Sequence, residues 1–232
     1  MEKVILECKN LTKNYKLESA LNNINLSITS GKIVGLLGPN GSGKTTLIKL
    51  ANDLLKPTSG EILINGEKPG VNSKKIISYL PDKNYFSDGH TVNQLLKLFS
   101  DFYEDFNEEK ARAMIDGLTI DPKKKFRFLS KGMKEKVQLL LVMSREAELY
   151  LLDEPIAGVD PVAREYILNT VINNYNKNGT VIISTHLIRD VERILDEVIF
   201  INKGNILLHD NVEKIKLEHN KSIDEYFREV YR

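Results

Sequence analysis

Gly38-Pro39-Asn40-Gly41-Ser42-Gly43-Lys44-Thr45 satisfies the pattern G-x-x-x-x-G-K-[ST] at every position. The flanks supply the context that such a match requires. Ile33-Val34-Gly35-Leu36-Leu37 precedes it as a continuous apolar run, the pattern of a buried strand. Leu47, Ala51, Leu54 and Leu55 follow at helical spacing, and the helix is expected to stop at Lys56-Pro57. Strand, glycine-rich loop and helix together describe a site for a nucleoside triphosphate. Glycines are needed because the backbone must wrap closely round phosphate oxygens, partly in conformations closed to residues with a Cβ. The loop N–H groups then converge on the anion at a helix N-terminus, where the dipole also favours negative charge. Lys44 is placed to reach the β- and γ-phosphates, and the Thr45 hydroxyl to ligate Mg2+. The candidate nucleotide contacts are therefore Gly38, Pro39, Asn40, Gly41, Ser42, Gly43, Lys44 and Thr45, together with the adjoining Thr46.

A second apolar run, Leu149-Tyr150-Leu151-Leu152, ends in two acids, Asp153 and Glu154. A carboxylate at the tip of a parallel strand beside a phosphate loop lies where Mg2+ must be held, which suits Asp153. Glu154 is the next residue, so it points elsewhere and is the candidate general base for an attacking water. Val181-Ile182-Ile183 is a third continuous run, and all three suit parallel strands covered on both faces. By contrast Ile24, Leu26 and Ile28 alternate with polar residues, as do Ile62 and Ile64, the pattern of antiparallel strands with one wet face. Apolar residues at 92, 95, 96, 99 and 102 predict a helix capped by Thr91, and Ala111, Met114, Ile115 and Leu118 predict another. Asp160-Pro161 reads as a helix start and Lys203-Gly204 as the turn of a hairpin. The fold class is α/β: a phosphate-loop (P-loop) NTPase core with an N-terminal antiparallel β subdomain and an inserted α-helical subdomain. One domain over 1–232 is expected, with the helical part at 82–145 and the remainder drawn from 1–81 and 146–232.

Composition narrows the classes further. Hydrophobic residues make up 41% and charged residues 28%, and 33 basic against 32 acidic side chains leave a net charge of +1. That balance gives no electrostatic footprint for a polyanion or a lipid surface. No apolar run reaches the roughly 18 residues that cross a bilayer. The N-terminal residues lack the apolar core of a secretory signal, and the single cysteine, Cys8, fits a reducing compartment.

Leu129-Ser130-Lys131-Gly132-Met133, ahead of a helix carrying Val137, Leu140 and Leu141, resembles the LSGGQ signature of the ATP-binding cassette (ABC) ATPases. The other motifs of that family occur in its order. Tyr15 stands where the family has an adenine-stacking aromatic. Ala157-Gly158-Val159-Asp160 looks like the D-loop, and Ser184-Thr185-His186 like the switch segment with the catalytic histidine. The resemblance runs from about residue 6 to residue 205. It implies an ATPase that hydrolyses ATP to ADP and phosphate, with ATP and Mg2+ as ligands and Glu154 and His186 as catalytic residues. It also implies head-to-tail pairing with a second cassette, identical or not, in which Ser130, Lys131, Gly132 and Met133 meet the nucleotide of the partner. Separate transmembrane permease subunits are the implied membrane partners. The chain is then expected in the cytoplasm, peripheral on the inner face of the membrane, with no nucleic acid bound. Ser222-Ile223-Asp224-Glu225-Tyr226-Phe227 resembles a segment that often closes export-type cassettes.

Three positions depart from the family pattern. Asp82 stands where glutamine is usual, so Mg2+ contact by this shorter acid competes with a role in coupling alone. Lys131 replaces glycine, and Met133 replaces glutamine and cannot donate its hydrogen bond. Tyr15 as an adenine platform competes with an ordinary half-buried ring. His186, unremarkable in isolation, is favoured as catalytic by its place after a buried strand. Phe99 and Phe102 fit a core stripe, whereas Tyr85, Phe86 and Tyr103 are candidates for docking a short helix of a membrane partner. The alternative function is a soluble ABC ATPase in iron–sulfur assembly or in nucleic-acid or ribosome remodelling.

Overall fold

The structure, a computed structural model, describes residues 3–16 and 18–231. In chain order the elements are β1 (Val4–Tyr15), β2 (Glu18–Thr29), β3 (Ile33–Leu37), α1 (Lys44–Ala51), β4 (Ser59–Ile64), α2 (Val71–Ile76) and β5 (Ile77–Leu80). Three helices follow: α3 (Val92–Phe102), α4 (Glu108–Gly117) and α5 (Lys131–Met143). The chain then runs through β6 (Leu149–Asp153), α6 (Pro161–Asn174), β7 (Thr180–Thr185), α7 (Ile188–Val191), β8 (Glu197–Asn202), β9 (Asn205–Asn211), α8 (Val212–His219) and α9 (Ile223–Val230).

Among the described residues the strands form two sheets. The first is antiparallel, ordered β2-β1-β4; the second is ordered β5-β6-β7-β3-β8-β9 and is parallel except for the β8–β9 hairpin. Every residue of β3, β6 and β7 is buried, as expected of parallel strands with both faces covered. Successive side chains go to opposite sides. Val34 and Leu36 join α1 and the antiparallel sheet in one apolar cluster, while Ile33 and Leu37 join α5, α6 and the C-terminal helices in another. A third cluster, from Phe86 to Leu141, fills the space between α3, α4 and α5. Each of these helices has a side-chain N-cap: Thr91 and Gln94 make a reciprocal capping box on α3, Asn107 caps α4 and Ser130 caps α5.

Three local expectations need correction. Helix α1 ends at Ala51, ahead of Lys56-Pro57, because the Asn52 amide donates back to the Ile48 carbonyl and Asp53 turns left-handed at φ 58°. Phe102 is 75% exposed: α3 presents only Val92, Leu95, Leu96 and Phe99 to the core, and Phe102 lies past the edge of that stripe. Phe86 is buried rather than available for docking, because its ring packs edge-on against Phe99 and Phe126.

Arg145 ties the helical region to the sheet. It is 1% exposed, and its guanidinium donates to Asp105 through Nε at 2.9 Å and Nη2 at 3.0 Å. It also donates to the carbonyls of Lys75 in α2 and Ile77 at the start of β5 and stacks on Tyr103, 3.8 Å from the ring centroid. A planar fork with five donors satisfies all of these acceptors at once, which an ammonium cannot. Arg145→Ala should therefore lower unfolding stability by about 3 kcal/mol, with Arg145→Lys recovering only part of the loss. Denaturant titration checks this, and a change within experimental error for Arg145→Ala would remove the tie.

Candidate functional site

The phosphate loop leaves β3 at Gly38 and enters α1 at Lys44. Two of its glycines are sterically required. A Cβ on Gly38 would lie 2.3 Å from the Ile201 carbonyl oxygen, and Gly43 adopts φ 113° with a Cβ position 2.6 Å from the Ala20 carbonyl oxygen. The cleft over the loop has a volume of about 370 Å³ and is lined by Ala20, residues 40–46, Asp82 and Glu154. The Lys44 ammonium is buried, 5% exposed, and donates to the carbonyls of Gly38 at 2.7 Å and Pro39 at 3.2 Å. It also lies 3.3 Å from Glu154 Oε1.

The sheet brings the acids to the loop. Asp153 ends β6 in register with Ser184 of β7, and Leu37 of β3 is in register with Thr185. Asp153 Oδ1 accepts from Ser184 Oγ at 2.5 Å and from Thr45 Oγ1 at 3.1 Å. Glu154 is left-handed at φ 51°, a conformation costly for a residue with a Cβ. Its N–H is held by the Ser184 carbonyl at 3.0 Å and the Ser184 hydroxyl at 3.1 Å. The turn aims its carboxylate away from Asp153, at Lys44 and at His186, whose Nδ1 lies 3.1 Å from Oε2 and 3.2 Å from Oε1. Ser184 thus positions both acids. Its sequence signal is the hydroxyl pair Ser184-Thr185 that follows the apolar run Val181–Ile183.

Two buried polar atoms at this site lack a protein partner, Ser42 Oγ and Asp153 Oδ2. Such atoms normally have one. The Thr45 hydroxyl, 3.1 Å from Asp153 Oδ1, and the unsatisfied Asp153 Oδ2 suit Mg2+, which takes few protein ligands and completes its shell with phosphate oxygens and water, while Ser42 Oγ is left for a phosphate. No cluster of three or more His, Cys, Asp or Glu with metal-holding geometry occurs among the described residues. Asp82 is exposed, lines the same cleft, and its charge adds to those acting on Asp153.

The remaining predicted residues lie outside the cleft. Tyr15 is 45% exposed at the end of β1, with the Lys13 ammonium 5.5 Å from its ring centroid. Ser130 is exposed, its Oγ accepting the Met133 N–H at 3.3 Å. A Cβ on Gly132 would meet nothing within 4 Å, so its backbone is open to approach. Lys131 is mostly exposed and pairs loosely with Glu135 at 3.9 Å, while Met133 packs against the helical core. Asp160 caps α6, accepting from the N–H groups of Val162 and Ala163, both at 3.1 Å.

Fold and site define a P-loop ATPase. Residues 21–157 match the family model described as ABC transporter. The chain is 32% identical over 220 residues to the ABC transporter ATP-binding protein YtrB of Bacillus subtilis (strain 168), an alignment covering 94% of this chain and 75% of that one. It is also 32% identical over 224 residues to the bacitracin transport ATP-binding protein BcrA of Enterococcus faecalis, covering 94% and 72%. A solved ATP-binding subunit of an ABC transporter superposes with a TM-score of 0.86 at 26% identity, covering 98% of this chain and all of that one. The chain belongs to the ABC transporter family, as a subunit that binds and hydrolyses ATP. No helix among the described residues is long and apolar enough to cross a membrane.

Burial holds the Asp153 carboxyl above the usual carboxylate range, against the opposing effect of the Ser184 and Thr45 hydroxyls. An acid whose folded-state pKa exceeds its unfolded value loses stability as pH rises through that interval and remains penalised above it. At neutral pH, Asp153→Asn should therefore raise the melting midpoint of the nucleotide-free protein, by roughly 2–4 °C for each kcal/mol relieved. The same variant should lose the Mg2+-dependent part of ADP binding. Thermal scans with and without Mg2+ and ADP check both; a lowered nucleotide-free midpoint would contradict the burial cost.

Proposed function

We propose that the chain powers its transporter by clasping ATP between its own phosphate loop and the signature helix α5 of a second cassette facing it head to tail. The observation that carries this reading is the separation of two anion-binding surfaces. The phosphate loop with Glu154 forms one, and the exposed α5 N-terminus at Ser130 and Gly132 forms another that lines no part of the same chain's phosphate cleft. Lys44, Ser42 and the loop N–H groups hold the β- and γ-phosphates, and Tyr15 stacks on the base. Thr45 and Asp153, with Asp82 nearby, hold Mg2+, which supplies charge neutralisation on the phosphate oxygens. Glu154 takes a proton as water oxygen bonds to the γ-phosphorus and the bond to the β–γ bridging oxygen breaks, releasing ADP and phosphate. His186 orients Glu154 and the γ-phosphate. Asp160 holds the segment between the two cassettes.

Residues 82–145 form the helical subdomain in this reading. The groove between it and the core, about 520 Å³ and lined by Tyr79, Asp82, Tyr85, Tyr103 and Arg145, receives a short segment of a separate permease. That contact holds the chain on the inner face of the membrane. The Ser222–Phe227 segment, which resembles one that often closes export-type cassettes, supports export as the direction.

Glu154→Gln retains shape and hydrogen bonding but cannot take the proton. With saturating Mg2+ and ATP it should accumulate as a stable dimer, while adding Ser130→Arg should return it to monomer with ATP still bound. Sizing with light scattering checks both forms. A Glu154→Gln monomer, or a dimer indifferent to Ser130→Arg, would contradict the clasp.

A further inference from the structure

Helix α9 is short, spanning about 12 Å at 1.5 Å per residue, yet its two ends reach the roots of two different parts of the ATP site. At its N-terminal end Asp224 is 8% exposed, unusual for an acid on a terminal helix. Its carboxylate accepts from Arg189 Nε at 2.7 Å and forms an ion pair with Arg228 Nη2 at 3.1 Å, and its N–H donates to Glu192 Oε2 at 3.2 Å. Arg189 lies on α7, the single helical turn that begins two residues after His186. Ile188 and Val191 of that turn are buried in the same apolar cluster as Ile223.

At the other end Tyr231 donates through its hydroxyl to the Ile201 carbonyl at 2.8 Å, with the Leu37 carbonyl at 3.5 Å. Leu37 is the last residue before the phosphate loop. The Ile201 carbonyl is the oxygen that leaves no room for a Cβ on Gly38. It is therefore wedged between the loop root and the Tyr231 hydroxyl. Between the two ends, Tyr226, Phe227 and Tyr231 pack round Phe200, which lies beside Leu37 in the sheet register. A helix that merely covered the core would need the rings and Ile223. It would not need a buried carboxylate joined to the switch turn, nor a hydroxyl aimed at the carbonyl beneath the loop.

We propose that α9 is a brace that fixes the switch histidine relative to the phosphate loop, with Asp224 and Tyr231 as positioning residues for ATP hydrolysis. Asp224 anchors α7, and through it the His186 backbone; Tyr231 anchors the carbonyl on which Gly38 rests. Loosening either end lets His186 and the loop drift independently. Misplacement on the ångström scale is enough to slow chemistry by large factors without weakening binding. The inference rests on His186 acting in hydrolysis, and its test separates failure of that role from failure of the brace.

The test is a pair of double-mutant cycles on the full chain, Asp224→Asn and Tyr231→Phe, each alone and combined with His186→Ala. Turnover is read with γ-labelled ATP, alongside ADP affinity and melting midpoint. Each single variant is expected to lower kcat about tenfold while KM and ADP affinity stay within about twofold. In the His186→Ala background the same changes should alter kcat less than about twofold, because the group they position is gone. Equal fractional losses in both backgrounds, or unchanged kcat in Tyr231→Phe and Asp224→Asn, would overturn the brace. A His186→Ala protein with undiminished kcat would instead overturn the role of the histidine.

Discussion

The Lys44 ammonium is the interaction on which the rest of the site depends. It is nearly removed from water, and a buried cation is tolerated only where acceptors surround it. Here the acceptors are two carbonyls of its own loop, Gly38 and Pro39, and the Glu154 carboxylate from the neighbouring strand region. The loop can curl back on its own lysine because Gly38 and Gly43 leave the required space. On the proposed reading the triphosphate meets a positive charge that is already desolvated and fixed, so little reorganisation accompanies binding.

The same geometry explains how two adjacent acids come to face different partners. Asp153 keeps the strand conformation and is fully buried, turned to the Thr45 hydroxyl. Glu154, one residue on, is turned through a left-handed backbone and faces Lys44 and His186. The strain is held by a local device, the carbonyl and hydroxyl of Ser184 on the Glu154 N–H. Parallel register between β6, β7 and β3 then places Asp153, Ser184, Thr185 and Leu37 side by side. Sheet pairing, not loop sequence, therefore sets the distances among the phosphate loop, the acids and the switch.

Much of this is legible in the amino-acid sequence. The phosphate loop, the acid pair and Ser130 at a helix start each depend on contiguous residues, and contiguous patterns survive folding unchanged. Asp160-Pro161 and Thr91 were readable for the same reason, since caps are local hydrogen bonds. The failures share a different cause. Phe86 and Phe102 exchange expected surroundings because which ring faces inward depends on how α3 sits against α5 and the Phe126 ring. The early end of α1 depends on one asparagine bonding back to a carbonyl. Arg145, with acceptors at Lys75, Ile77 and Asp105, joins segments some 40 to 70 residues apart. No window of sequence displays such a pairing. The ties of α9 to Arg189 and Ile201 were hidden in the same way.

The seat assigned to Lys44 is tested most directly by titration calorimetry of ATP with Mg2+ into the monomeric chain and its Lys44→Ala variant. Removing the desolvated charge proposed to meet the phosphates should weaken ATP binding about a hundredfold, on the order of one strong charge-assisted contact. An unchanged dissociation constant in a folded Lys44→Ala protein would mean that the triphosphate does not lie on this loop.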